Sequence, residues 1–495
     1  MLQISRADGA GGATTHEEFS PGGRLVFLPG LLMCCLALST LMFGTGTTGL
    51  TVVGTTSVIW VSSLVIRRGG SYLTPSAVFF LASGVFVGIA SLYLAALGSI
   101  VVTQEALRNA AVMAFVSTVA VDMVVLAFSI RWRTSWPTRS ALWGRRDFGH
   151  FVVPQHFMLK AILLVALSKM PQLTALSDAV GNSLGLFGVL MLALSASSVR
   201  QHIKWVGDAA FALIAFIVPL AWMASVFQGG GRLAVAGLGI ALLMAWNLTR
   251  PLQLHKVAII AMVPLFLLAA GENRRQMDNA DPRRVKEAPA LGAGLQSVYN
   301  PLETLAEETR GGDTASGKSI GPRWGATFAN SFMLPVPRSW WKNKPTGFGA
   351  ELTAVLRPNL VSSGHSMAAL SQGEWYANFG FAGLFAMPLV IGWILAKLDY
   401  WHSNLVKSRL SQPSDWWAAT ILLCLVAGLG DLFWVGTFTF FERGGLAALV
   451  GLVAMGMSVR SASTPAADAS FDSSPNWPPE LRRDMQSPVS VDEVP

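Results

Sequence analysis

Apolar runs recur along the chain from Leu25 to near residue 459, with short polar connections between them. Most are about 17 to 25 residues long, the length with which an α-helix crosses roughly 30 Å of hydrocarbon. They do not alternate apolar with polar residues, as the roughly 10-residue strands of a membrane barrel do. The pattern predicts twelve spans, at 25–43, 50–66, 77–102, 109–130, 157–170, 182–199, 205–227, 233–249, 256–271, 377–396, 416–436 and 439–459. The expected fold class is all-α, a polytopic integral membrane protein of about twelve transmembrane helices with one large extracytoplasmic loop. The first run is longer than a signal-peptide core and lacks a small-residue cleavage site, so it reads as a retained span.

Basic residues alternate with the span count. The connections at Arg67–Arg68, Arg131 to Arg146, Arg200 and Lys204, Arg250 and Lys256, and Lys397 to Arg409 are basic, and Arg460 opens the tail. The opposing connections at 44–49, 103–108 and 228–232 are nearly uncharged. Retention of basic loops in the cytoplasm places both termini inside. The expected organisation is a membrane domain over 1–271 carrying spans one to nine, with a cytoplasmic segment at 1–24. An extracytoplasmic loop follows over 272–375, then spans ten to twelve over 376–460. The Ser-, Pro- and Asp-rich tail over 461–495 is expected to be disordered and cytoplasmic.

Composition sharpens this picture. Of 495 residues, 52% are hydrophobic and 13% charged, against about a quarter charged in soluble domains. The net charge of +8 falls mostly in the connections between spans, so it marks topology and not a nucleic-acid partner. Cys34, Cys35 and Cys424 all lie in apolar runs, which indicates neither a disulfide framework nor a thiolate metal site.

Candidate chemistry concentrates in the long loop. Between Lys318 and Arg357 stand Lys318, Arg323, Arg338, Lys342, Lys344 and Arg357 against Glu351 alone. Guanidinium and ammonium groups at headgroup depth suit phosphate oxygens. Trp340 and Trp341 sit among these cations, with Pro335, Pro337 and Pro345 restricting the backbone. The indole rings fit either sugar stacking or plain anchoring at the headgroups. A second cluster runs from Arg357 to Gly383. It holds His365, one of seven histidines, then Glu374, Tyr376 and Asn378. Glu374 and Asn378 are one helical turn apart and share a face. A carboxylate here is placed to accept a proton from a hydroxyl, or simply to favour a helix N-terminus. Within the spans, Asp122, Asp431, Glu442 and Arg443 are functional candidates or internal ion pairs.

"PRSWWKNKP", followed by "FGAELT", resembles the Pro-Arg-x-x-Trp-x-x-Lys-Pro signature of bacterial oligosaccharide repeat-unit polymerases, the Wzy-type O-antigen polymerases. "GEWYANFGFAG" is similar to their second signature, and the two occur in the family's order across residues 334–383. The resemblance implies a metal-independent glycosyltransferase without a cofactor, acting at the outer face of the cytoplasmic membrane. It would transfer the growing glycan from its polyprenyl diphosphate to a hydroxyl of the next lipid-linked repeat, making O-antigen, capsular or exopolysaccharide.

On that reading Arg338, Lys342, Lys344 and Arg357 hold the diphosphate, and Arg338 stabilises the leaving charge. Glu374 or His365 activates the acceptor hydroxyl. Trp340, Trp341, Tyr376 and Asn378 face the sugars. The implied partners are polyprenyl-diphosphate-linked oligosaccharide, membrane lipid, and a chain-length regulator and flippase of the same pathway. The alternatives are an O-antigen ligase-like transferase, which shares the loop and the donor, and a polysaccharide transporter or flippase, for which repeats and midplane charges are the usual signs.

Overall fold

The computed structural model describes residues 28–99, 101–134, 136, 157–170, 178–199, 217–219, 221–222, 232–249, 254–261, 263, 290–310, 322–337, 340–363 and 366–463. Contacts divide the chain into Met1–Leu452 and Val453–Pro495. Among the described residues every regular element is a helix. Seven helices among the described residues are long and apolar enough to cross a membrane: α2 (Gly46–Arg67), α3 (Pro75–Leu97), α4 (Gln104–Arg131), α6 (Asp178–Val199), α12 (Phe381–Ser408), α13 (Pro413–Trp434) and α14 (Thr437–Gly456). Three apolar helices are shorter: α1 (Leu28–Phe43), α5 (Phe157–Leu167) and α7 (Arg232–Thr249). Most of the predicted run at 205–227, the second half of that at 256–271, the segment 1–24 and most of the tail lie outside the described residues.

Helix starts follow ordinary capping chemistry. Thr45, Thr74 and Thr103 each accept a backbone N–H of the first turn, and Pro75 opens α3 where its missing donor is harmless. Small residues set the closest crossings, as packing within lipid requires. Gly392 of α12 meets the backbone of α4 at Val121, and Gly237 of α7 meets the carbonyl of Ala427 in α13.

Polar side chains close one end of the bundle. Arg68 pairs with Asp122, and Ser76 donates its N–H (3.0 Å) and hydroxyl (2.5 Å) to Asp399. The Lys256 ammonium donates to the carbonyls of Arg68 and Gly70. Lys397 lies over the Trp132 ring. The basic ends of α2, α4 and α12 therefore share one end, as the alternation of charge requires.

The stretch before α12 is helical as well. It holds α8 (Ala290–Thr309), α9 (Ala326–Phe332), α10 (Phe348–Leu356), a 3-10 turn (Pro358–Ser363) and α11 (Leu370–Phe379). The run expected from residue 377 is broken. Gly380 adopts φ +61°, ψ −146°, a conformation open essentially to glycine alone, and it separates α11 from α12.

Candidate functional site

α11 carries the second signature, and its polar groups bind three segments together. Glu374 is 1% exposed. Its Oε1 accepts the Thr327 hydroxyl of α9 at 3.0 Å, and its Oε2 accepts the N–H (2.6 Å) and hydroxyl (2.9 Å) of Thr437 at the start of α14. Asn378 Nδ2, one turn on, donates to the Glu374 carbonyl (2.7 Å) and to Thr327 Oγ1 (2.6 Å). Burial pushes the Glu374 carboxyl up to about 7 against the pull of the Thr437 and Thr327 donors. The C-terminal carbonyls of Ala377 and Asn378 accept the N–H groups of Arg323 and Trp324, which ties the entry to α9 onto α11.

The first signature is a tight loop. The Pro337 carbonyl accepts the N–H groups of Trp340 and Trp341, and the Trp341 carbonyl accepts that of Lys344. The Lys344 ammonium turns inward to the carbonyls of Leu334 (2.8 Å) and Val336 (2.9 Å). Lys342 is exposed, and Trp340 is 76% exposed. Arg357 is held by Glu307 of α8 in a two-pronged pair at 2.7 and 2.9 Å. Arg323 pairs with Glu351. Arg338 and His365 lie outside the described residues.

The second signature, and Gly347 two residues beyond "PRSWWKNKP", meet at the first turn of α14. Thr437 holds Glu374, and a Cβ added at Gly347 would stand 2.6 Å from the ring of the next residue, Phe438. Gly349 closes against Ser366 and Met367, and the Met367 N–H donates to the Gly349 carbonyl. Tyr376 packs edge-on against Phe381 and lines an open cleft of about 260 Å³ with Pro322, Trp324, Phe379 and Gly380. Of the intramembrane charges, Asp122 pairs with Arg68 and Asp431 with Arg443 at 2.5 Å.

Sequence reasoning missed Thr327, Thr437 and Glu308, and counted Arg323 only as part of the cationic run. Threonines carry no signal in an apolar chain, whereas Glu308 did. It follows Leu302 and Leu305 at intervals of three, on the stripe that a helix buries. Two further spacings belong to known motifs and lack their context. Residues 312–319, "GDTASGKS", have the spacing of a phosphate loop, but they follow helix α8 and not a strand, and they lie outside the described residues. Residues 181–185, "GNSLG", have the spacing of a nucleophile elbow, yet Ser183 sits within α6 with its hydroxyl bonded to the Ala179 carbonyl at 2.7 Å.

Compared with known proteins, the chain matches no family model, no curated protein and no solved structure.

Proposed function

We propose that the protein is a polymerase of polyprenyl-diphosphate-linked oligosaccharide repeats, acting at the outer face of the cytoplasmic membrane. The observation that carries this reading is that Gly347, two residues beyond "PRSWWKNKP", and Glu374 of "GEWYANFG" meet adjacent residues, Phe438 and Thr437. A cationic, aromatic loop and a polar helix thereby share one neighbourhood beside the start of two apolar helices. A lipid diphosphate brings its charge to that depth, while its glycan extends into water.

Lys342, together with Arg338, neutralises the diphosphate and makes it a good leaving group, which is what fixed cations achieve in the absence of reorganising water. Lys344 and Arg357 shape the clamp, the first through loop carbonyls and the second through Glu307. Trp340 and Trp341 face sugar or headgroups, and Tyr376 faces sugar from the cleft. Asn378 sets Thr327, and through it Glu374. A chain-length regulator and a flippase of the same pathway are the proposed partners.

Purified protein in lipid vesicles, given polyprenyl-diphosphate-linked repeat units and neither ATP nor an ion gradient, is expected to release polyprenyl diphosphate and make glycan of several repeats. Arg338→Ala and Glu374→Ala variants should make none. Transfer only to a non-repeat acceptor would identify a ligase-like enzyme instead, and movement of the lipid without transfer would identify a flippase.

A further inference from the structure

The turn that leads into α9 holds its largest side chain on the backbone least suited to it. Residues 323–326 close a four-residue turn, in which the Ala326 N–H donates to the Arg323 carbonyl at 3.0 Å. Both central residues have positive φ, Trp324 at +51° and Gly325 at +84°. Turns of that hand take Asn, Asp or Gly at the first central position, because a larger side chain crowds its own backbone. A tryptophan there is an outlier, and such strain persists where the surroundings enforce it and function uses it. The enforcing groups are the Ala377 and Asn378 carbonyls of α11, which accept the N–H groups of Arg323 and Trp324 at 3.0 Å each.

Packing does not offset that strain, because Trp324 is 80% exposed. The residue stands at the open cleft whose walls are otherwise Pro322, Tyr376, Phe379 and Gly380. The other two rings are fixed from behind. Phe379 packs against Phe328 and Trp375, and Tyr376 against Phe381. Gly380 leaves the opening clear, since nothing lies within 4 Å of a Cβ built there. Among the described residues, neither a charged nor a branched aliphatic side chain lines the cleft. The nearest guanidinium in sequence, that of Arg323, is turned to Glu351.

Walls made of rings without aliphatic neighbours suit a flat ligand better than an acyl or polyprenyl chain. The C–H face of a sugar ring is slightly positive and meets the negative face of an aromatic ring. The Tyr376 hydroxyl can donate to, or accept from, a sugar hydroxyl. At about 260 Å³ the cleft is smaller than sites that enclose drug-sized ligands, so it takes one ring. The fixed backbone of Trp324 leaves little ordering to be lost on binding.

We propose that Trp324 is the stacking platform of a glycan subsite, which holds an uncharged sugar ring of the lipid-linked repeat against Trp324, Tyr376 and Phe379. The inference rests on the glycan-transfer reading above, which supplies the ligand.

The test titrates the full chain in phosphatidylcholine vesicles with the water-soluble oligosaccharide cut by mild acid from the lipid-linked repeat. Binding is followed by calorimetry and tryptophan fluorescence, with Tm measured alongside. Trp324→Leu keeps the apolar bulk without the ring face, and it should weaken binding by about 5- to 100-fold, the loss typical of one stacked ring. In glycan synthesis the same variant should raise KM more than it lowers kcat. Trp324→Phe should recover part of the affinity. Trp324→Gly should bind as poorly as Trp324→Leu, with a Tm equal to or above that of the unaltered protein, because glycine adopts positive φ freely. Unchanged binding in Trp324→Leu overturns the inference, and so does an affinity that falls only in step with Tm. The difference in fluorescence between the unaltered protein and Trp324→Leu reports this one indole. If brominated lipid chains quench it and the oligosaccharide does not change it, Trp324 is a headgroup anchor and the inference fails. An unaltered protein that does not bind the oligosaccharide overturns the inference whether or not it makes polymer. One that binds it and transfers no glycan overturns the parent reading alone.

Discussion

Thr437 gives both of its donors to one oxygen of Glu374, the backbone N–H at 2.6 Å and the hydroxyl at 2.9 Å. The preceding Gly436, at φ +113°, makes this approach possible, because a Cβ there would collide with the same carboxyl oxygen. Thr437→Val keeps the branched shape and the N–H but removes the hydroxyl. It is expected to destabilise the protein by about 1–3 kcal/mol. Gly436→Ala should do at least as much, through backbone conformation and collision together. Thermal unfolding in detergent micelles measures both.

Stability should fall as pH rises through the neutral range, with Glu374 responsible for a definable part. The folded protein holds the Glu374 proton up to about pH 7, whereas the unfolded chain releases it near 4.5. The folded state thus binds more protons between those values, and stability declines with rising pH across that window. The contribution is complete below about 4.5 and lost once pH passes 7. A difference of that size corresponds to roughly 3 kcal/mol. The difference between the unaltered protein and Glu374→Gln in unfolding free energy, followed from pH 5 to 8, isolates it. Burial raises Glu308 too, so the Glu374→Gln variant should keep some slope of the same sign.

Lys342 and Lys344 are two residues apart and should respond differently to removal. Lys342 is exposed, so Lys342→Ala is expected to leave Tm unchanged while weakening use of the lipid diphosphate by about 10- to 100-fold, the worth of one charge-assisted bond. Lys344 holds two loop carbonyls, and Lys344→Ala should lower Tm as well as turnover. Paired measurements of Tm and glycan synthesis on both variants decide this.

Gly237 and Gly239 provide a contrast within α7. A Cβ at Gly237 would be driven into the carbonyl of Ala427, whereas nothing lies within 4 Å of one at Gly239. Gly239→Ala is expected to stabilise by about 0.5–1 kcal/mol through lost chain entropy. Gly237→Ala should destabilise and separate α7 from α13. Unfolding curves of the two single variants should move in opposite directions.

Much of the helical pattern was legible because length and hydropathy alone determine it. The runs at 50–66, 109–130 and 416–436 correspond to α2, α4 and α13; the first two helices extend several residues beyond the apolar stretch, and the third starts three residues earlier and ends two earlier. The break at Gly380 was not, since a glycine beside an apolar run is compatible with a continuous helix until its φ is known. In the site, the shared face of Glu374 and Asn378 followed from their spacing. Their partners did not, because Thr327 and Thr437 lie 47 and 63 residues from Glu374 and look like any other threonine. The charge count between Lys318 and Arg357 overstated the free cations for a related reason. It included Arg357 but not Glu307, which lies earlier in the chain and occupies that guanidinium.

The polar end of the bundle has a consequence for how the protein is made. The carbonyl of Arg68 receives an ammonium synthesised 188 residues later, and Ser76 receives a carboxylate synthesised 323 residues later. Helices α2 and α3 therefore leave the ribosome with their shared end unfinished, and they remain so while most of the other helices are delivered. The α2–α3 hairpin is among the last parts to be locked, and Asp399 is the residue that locks it.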